Sequence, residues 1–375
     1  MRNFAVTIVR QVDELTGIRD AWNTLATNVA DHSFSQSYEY ISLAAEIASA
    51  SGHELKILTA WDQDTLVGAW PLSLSKEGPF RLLRPLSCGS NEEYSTPLTR
   101  EAGKKEIVAT LFHKAQALGA DVLQIFNVRA DDVFNTTIQA SSYPTTMDTL
   151  PAYGICLEQF PNWNSFAASL SKSLRTSLKY EAGRLGKLGH LEAGWCKTGT
   201  EASAVLHWII DTKRRWAKAN HRSAPWLSKP HVMDFFIALA NRIDLSNAPM
   251  ISYLKLDGTP IAASINLIGP SSVEYFITTF NDDFAPYSPG KLLIEHCVQW
   301  SVLNRRNFDF RILHGDYKAR WSNSQTTYNT YTLFLTRRGR LKSRLVAAER
   351  LAGRGRRMIG RLLGGTLMRR GQDSR

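Results

Sequence analysis

The run Tyr275-Phe-Ile-Thr-Thr-Phe280 leads through Asn281 to Pro289 into Gly290-Lys291, which opens the apolar stretch Leu292 to Leu303. A strand that ends in a loop and then a Pro-Gly-Lys helix start turns backbone N–H groups and the positive helix end toward one point. That arrangement cradles a phosphate or pyrophosphate, and Lys291 adds a full positive charge there. Neither Gly-x4-Gly-Lys-Ser/Thr nor Gly-x-Gly-x-x-Gly is present, and Pro-Gly punctuation also fits a plain strand-to-helix turn. The next strand-like run, Phe308 to Ile312, is followed by His314, Asp316, Tyr317, Lys318, Arg320 and Trp321. A polar cluster in that place sits where open α/β sheets put ligand groups, beyond the carboxyl end of a strand.

Each member has a chemical use and a plainer one. His314 and Asp316 are the candidate proton acceptors, His314 the better one near pH 7, with Glu274 third because it begins its strand rather than ending it. Tyr317 can deliver a proton to a leaving group or can bridge strand and helix by packing. Lys318, protonated at neutral pH, suits a phosphate or carboxylate. Trp321 can face a sugar ring or fill the core. Lys172, Arg175 and Lys179 form a basic stripe opposite the leucines of a helix over 169–188, fit to grip an anion or to be a solvated face. In the first half, Gln36, Asn91 and Tyr94 are polar groups that can line a cleft.

The elements that must position these groups alternate strand and helix. Strands are expected at Phe4–Val9, Leu55–Trp61, Leu66–Leu74, Arg81–Leu86 and Val122–Val128, with helices at Tyr38–Ile47 and Lys105–Leu118. Pro144 to Tyr153 reads as a linker. Beyond it, Asn162 caps a helix carrying Phe166, Leu170, Leu174 and Leu178, and a second helix covers Glu201 to Lys218. The hairpin Ile251–Leu256/Pro260–Ile268 turns on Asp257-Gly258, and strands at Val273–Phe280, Phe308–Ile312 and Tyr328–Leu335 complete the pattern. The hairpin around Asp62-Gln63-Asp64 matches the one around Asp257-Gly258, so a duplicated unit is expected. The fold class is α/β, with lobes at 1–150 and 151–336 and a tail at 337–375.

Composition narrows the function. The chain has 375 residues and a formal charge of +11. Twelve Arg and one Lys against Glu349 and Asp373 put all of that excess in 337–375, so the body is neutral and not built to coat nucleic acid. The apolar residues of the tail, interleaved with Arg, suit an anionic membrane surface, whereas its glycines favour disorder. Cys88, Cys156, Cys196 and Cys297 are widely spaced, so free thiols, a reducing compartment and no metal site are expected. No signal-like start or membrane-spanning segment is visible, which points to the cytoplasm, peripheral to the inner face of the inner membrane if the tail engages it.

Tyr287-Ser-Pro-Gly-Lys-Leu-Leu293 and Phe308-Asp-Phe…Gly315-Asp-Tyr-Lys318…Trp321, with Phe34 to Tyr40 and Leu170 to Leu185, resemble the GNAT acyltransferases of the cellulose and exopolysaccharide biosynthesis type, relatives of the Fem peptidyltransferases. The resemblance covers about 1–335. It implies two tandem GNAT-like lobes, each a mixed, mostly antiparallel sheet flanked by helices, with acetyl-CoA as co-substrate held at Ser288, Gly290, Lys291 and Leu292. It further implies Tyr317 as the acid for the leaving thiolate and a sugar-containing or lipid-linked saccharide acceptor. The usual Arg/Gln-x-x-Gly-x-Gly/Ala loop is not intact. The implied activity is acyl transfer to a hydroxyl or amine. The alternatives are a Fem-like transferase using aminoacyl-tRNA, or a silent GNAT-like partner of a membrane polysaccharide synthase.

Overall fold

The computed structural model describes residues 4–90, 93–220 and 225–344. Fifteen strands can be numbered along these residues. In the first half they are β1 Ala5–Val9, β2 Glu54–Leu55, β3 Ile57–Asp62, β4 Thr65–Trp70, β5 Leu72–Glu77, β6 Phe80–Pro85, β7 Leu98–Thr99 and β8 Val122–Arg129. The others are β9 Thr145–Ile155, β10 Leu191–Trp195, β11 Ile251–Leu256, β12 Thr259–Ile268, β13 Ser272–Phe280, β14 Asn307–Ile312 and β15 Ser324–Phe334. β1, β3, β4 and β7 make a small sheet; the other eleven form one sheet in the order β10-β11-β12-β13-β14-β9-β15-β8-β6-β5-β2.

The duplicated hairpin is present. Asp257 and Gly258 both have positive φ, 48° and 77°, the pair of left-handed residues that a two-residue turn between twisted strands requires. Gln63 at φ 55° serves the β3–β4 turn. The repetition goes further: each half holds one parallel strand pair bridged by a helix, β6 with β8 across Lys104–Gln116, and β13 with β14 across Pro289–Leu303. Asn127 in β8 and Arg311 in β14 are both left-handed non-glycine residues near the ends of their strands.

Two expected features are corrected. The stretch 144–153 is not a linker but most of β9, which pairs with β15 from Thr145↔Leu333 to Gly154↔Ser324. The helix expected to run from Asn162 breaks in two, Trp163–Ser169 and Lys172–Gly186, because Leu170 is extended and Ser171 starts a new cap by accepting from the Leu174 N–H at 3.2 Å. The helix Asp316–Trp321 was hidden within the polar cluster after β14.

The lobes share their interior. One apolar cluster joins Trp22, Tyr40 and Ile41 of the first half to Phe235, Leu239, Ile265 and Phe276 of the second. On the surface above it, Arg242 makes a bidentate pair with Glu46 at 2.9 and 2.7 Å. The four cysteines are free thiols. The tail begins as a helix at 337–344 laid on the first lobe, where Lys342 meets Glu77 at 2.8 Å and Arg338 donates to the Pro79 carbonyl at 2.8 Å. The rest of the tail, 345–375, lies outside the described residues. No helix among the described residues is long and apolar enough to cross a membrane.

Candidate active site

β13 and β14 are hydrogen-bonded in parallel only from Ser272↔Asn307 to Glu274↔Asp309, although β13 runs on to Phe280 and β14 to Ile312. The two strands therefore separate toward their carboxyl ends. β14 is led away by left-handed backbone at Arg311 (φ 65°) and Leu313 (φ 76°). A parallel pair that opens in this way leaves unpaired backbone groups facing a gap, which a ligand running between the strands can satisfy.

One wall of the gap starts at the helix Pro289–Leu303. After β13, Asn281 caps a short turn over Asp282–Tyr287, Ser288 adopts φ 50°, and Pro289 occupies the first helical position, where its missing N–H costs nothing. The sequence reading placed a phosphate cradle here. Ser288 and Gly290 are part-exposed, whereas the Leu292 side chain is in the core, so only its backbone can face a ligand. Lys291 donates to Ser177 Oγ at 2.6 Å, which ties the cradle to the helix Lys172–Gly186. Lys172 and Arg175 are exposed on that helix.

The other wall is the helix Asp316–Trp321. Tyr317 is 43 % exposed, edge-on to Phe310 with ring centroids 6.3 Å apart, and its partial burial raises the phenol above its ordinary value. Lys318 is buried, and its ammonium donates to the Arg311 and Ile312 carbonyls at 3.3 and 2.6 Å. These are carbonyls that the left-handed exit of β14 takes out of the sheet, so Lys318 holds the strand end. Trp321 is 2 % exposed within the core and offers no face to a sugar. His314 is exposed, hydrogen-bonded through Nδ1 to Tyr153 Oη at 2.7 Å and through Nε2 to Asp316 at 3.2 Å.

At the apex of the gap the molecule opens on its other side into a cavity of about 840 Å³ between the lobes. Its walls include Gln36, Tyr94 and Arg129 from the first lobe and Glu274, Asp309 and Tyr328 from the second. Strand alternation explains the second set: Phe308 and Phe310 point into the lobe's own core, so Asp309 and Arg311 face the first lobe. Glu274 is 1 % exposed, accepts from Ser33 Oγ and is paired with the Arg311 guanidinium. Burial pushes its carboxyl up to about 7, with Arg311 opposing and Asp309 reinforcing the shift.

Of the first-lobe candidates, Tyr94 enters the cavity wall and donates to Asp309 at 2.5 Å. Gln36 lines the cavity while its amide is engaged with Thr96 O at 2.8 Å and the Ser33 N–H at 3.0 Å. Asn91 lies outside the described residues. The structure thus brings Gln36 and Tyr94 to Glu274, and separately gathers Ser288, Gly290, Lys291 and Ser177. Sequence reasoning missed Ser33, Tyr153, Asp309, Arg311 and Tyr328. For Asp309 and Arg311 the signal was present, as two charges alternating with two phenylalanines in a central strand. Among the described residues no cluster of His, Cys, Asp and Glu forms a metal site.

The description "Acetyltransferase (GNAT) domain" matches residues 172–319, the stretch from the Lys172 helix through β13, β14 and Tyr317. No curated protein matches the sequence. Among solved structures, FemX is similar over 87 % of this chain and 96 % of its own, at 10 % identity and a TM-score of 0.57. L-PGS from Bacillus licheniformis is similar over 89 % and 96 %, at 11 % identity and a TM-score of 0.51. A conserved protein of unknown function from Bacteroides thetaiotaomicron is similar over 87 % and 100 %, at 10 % identity and 0.52. At these identities the likeness speaks for the fold alone. The chain therefore has a GNAT-type acyltransferase fold of two tandem lobes, the second of which carries the match to the acetyltransferase domain.

Proposed function

We propose that this protein transfers an acetyl group from acetyl-CoA to a hydroxyl or amine of a sugar-containing acceptor in polysaccharide or envelope synthesis. The observation that carries the reading is the two-sided geometry: a gap between β13 and β14 with a helix start beside it, meeting a polar cavity at its apex. The donor's pyrophosphate would be met by the backbone of Ser288 to Leu292 and by the charge of Lys291, with the thioester carried into the gap. A sugar suits the cavity, whose wall carries hydrogen-bonding side chains such as Asp31, Arg129, Asp131 and Thr326.

In the transfer, the acceptor oxygen or nitrogen attacks the thioester carbonyl, its proton passes to Glu274, and the carbon–sulfur bond breaks as Tyr317 protonates the thiolate. Glu274 is preferred to His314 and Asp316 as the base because it lines the cavity, whereas those two are exposed on the Tyr317 side. General acid or base help of this kind is worth about 10²- to 10⁴-fold in rate. The basic segment beyond Arg344 would bring the enzyme to an anionic membrane surface, where a lipid-linked saccharide is presented.

A second reading, a Fem-like transfer from aminoacyl-tRNA, is favoured by the exposed Lys172, Arg175 and Lys179 on the helix beside the cradle, which could meet RNA phosphates. Calorimetry with acetyl-CoA separates the two, and absence of acetyl-CoA binding sinks the first. With a thiol-release assay, Tyr317→Phe is expected to lower kcat about 10²-fold with little change in donor affinity. Glu274→Gln is expected to remove the rise in kcat/KM near pH 7; an unaltered pH profile would take the base role from Glu274.

A further inference from the structure

Tyr94 has no part in the chemistry just described, yet it belongs to the first lobe and is embedded in the second. Its ring stacks on Tyr328 of β15 at 4.5 Å with planes 6° apart, and the Arg311 guanidinium lies over it at 4.2 Å. The ring is therefore gripped between a tyrosine and an arginine. Its hydroxyl donates to Asp309 Oδ2 at 2.5 Å, while Asp309 Oδ1 accepts from the Arg311 N–H at 2.6 Å. Ring and hydroxyl together hold the two residues at which β14 stops pairing with β13.

The arm that carries Tyr94 is itself anchored. Glu93 accepts from Tyr40 Oη at 2.6 Å and from the Cys88 N–H at 2.8 Å. Ser95 Oγ accepts from the Phe126 N–H of β8 at 2.7 Å. Both neighbours of Tyr94 are thus pinned to the first lobe, and a displacement of Tyr94 would have to disturb that core.

What the grip opposes is backbone strain. Arg311 and Leu313 sit at φ 65° and 76°, a left-handed region that disfavours residues with a side chain. Without a hold, β14 gains by relaxing to an extended exit, which would move everything that follows. We infer that Tyr94 is a positioning residue for acyl transfer: from the first lobe it fixes the left-handed exit of β14 and, through it, the place of Tyr317 at the donor gap. The transfer clause rests on the reading proposed above, whereas the mechanical clause rests on the contacts alone.

Hydrogen exchange on the full chain tests the mechanical clause without any substrate. Tyr94→Leu, which removes ring and hydroxyl, should speed amide exchange in 309–321 by about tenfold or more, leaving the helix 104–116 and strand β11 unchanged. Tyr94→Phe, which keeps the ring between Tyr328 and Arg311, should stay within about threefold of the unaltered protein. With acetyl-CoA as donor and glucosamine as probe acceptor, Tyr94→Leu should lower kcat about tenfold with the donor KM changed less than about twofold.

Exchange in 309–321 that stays unchanged, or that rises equally in all elements, overturns the inference. Should Tyr94→Leu fail to fold, Tyr328→Leu removes the other side of the grip and must loosen the same segment; if it does not, the inference falls. Loosening of 309–321 with an unchanged kcat overturns the transfer clause. No turnover of acetyl-CoA by the unaltered protein strikes the donor reading and the transfer clause together, while the exchange result still decides whether Tyr94 holds the strand.

Discussion

Glu274 joins burial, an arginine partner and a place on the cavity wall, and these set opposing demands on one carboxyl. Its pKa is pushed from an ordinary 4.5 up to about 7, chiefly by burial. A carboxyl raised on folding binds its proton more tightly in the folded state, so its contribution favours folding below about pH 4.5 and is lost as pH rises through about 7. In Glu274→Gln that slope should be missing from thermal unfolding followed between pH 5 and 8. Lys291 is the residue for the donor side. Lys291→Glu sets a negative charge at the helix start and is expected to weaken acetyl-CoA binding by about tenfold or more while leaving the melting temperature near that of the parent. Equal binding by calorimetry would move the cradle elsewhere. At this scale the sequence made Lys291 and Tyr317 visible because punctuation and strand ends are local signals. It ranked Glu274 low because a residue at the start of a strand faces a ligand only when another lobe closes over that end, and such closure is not written locally. The sequence points Lys318 toward an anion and leaves Trp321 open between a sugar face and the core, since charge and aromaticity reveal nothing of whether a side chain turns inward.

The break at Leu170 shows how one hydroxyl decides an element. Ser171 caps the helix Lys172–Gly186, and that helix carries Ser177, the partner of Lys291. Ser171→Ala should cost about 1 kcal/mol in chemical denaturation and loosen the first turn, where Lys172 and Arg175 lie. A change under a few tenths would mean that packing of Leu174 and Leu178, not the cap, sets the helix start. Most elements were legible at this scale: the hairpins, the helix after β13 and the strand of alternating Phe308 and Phe310 follow from period and turn chemistry. β9 was not legible, for reasons its pairing makes plain. Residues 145–149 are exposed and, apart from Met147, polar although the strand lies inside the sheet, so no alternation of apolar residues advertises it. Pro151 argues against a central strand, yet pairing of β9 with β14 ends at Ala152, so the position without an N–H falls past the last partner on that side.

The described body is closed by β15, the last strand among the described residues. β15 lies between β9 and β8, paired along its length with the first and from Tyr328↔Arg129 to Phe334↔Val122 with the second. The duplicated hairpins made two lobes legible, but a sequence read in order has no means of placing its last strand beside residues two hundred positions earlier. During synthesis, β8 must therefore wait for about 200 further residues before its neighbour exists, a delay of roughly 10 to 40 s at ordinary elongation rates. Until then the first lobe presents an open, apolar strand edge around Leu123 and Ile125, the kind of edge that pairs with other chains. A fragment ending at residue 150 should accordingly aggregate or exchange its amides freely in β8, and adding a separate peptide of residues 322–336 should protect them. A monomeric, fully protected fragment would show that the lobe closes without its borrowed strand. The residues that seal the first lobe are thus made long after the strand they cover, so β8 is open to misassociation while about 200 residues are added and is shielded from it once β15 pairs with it.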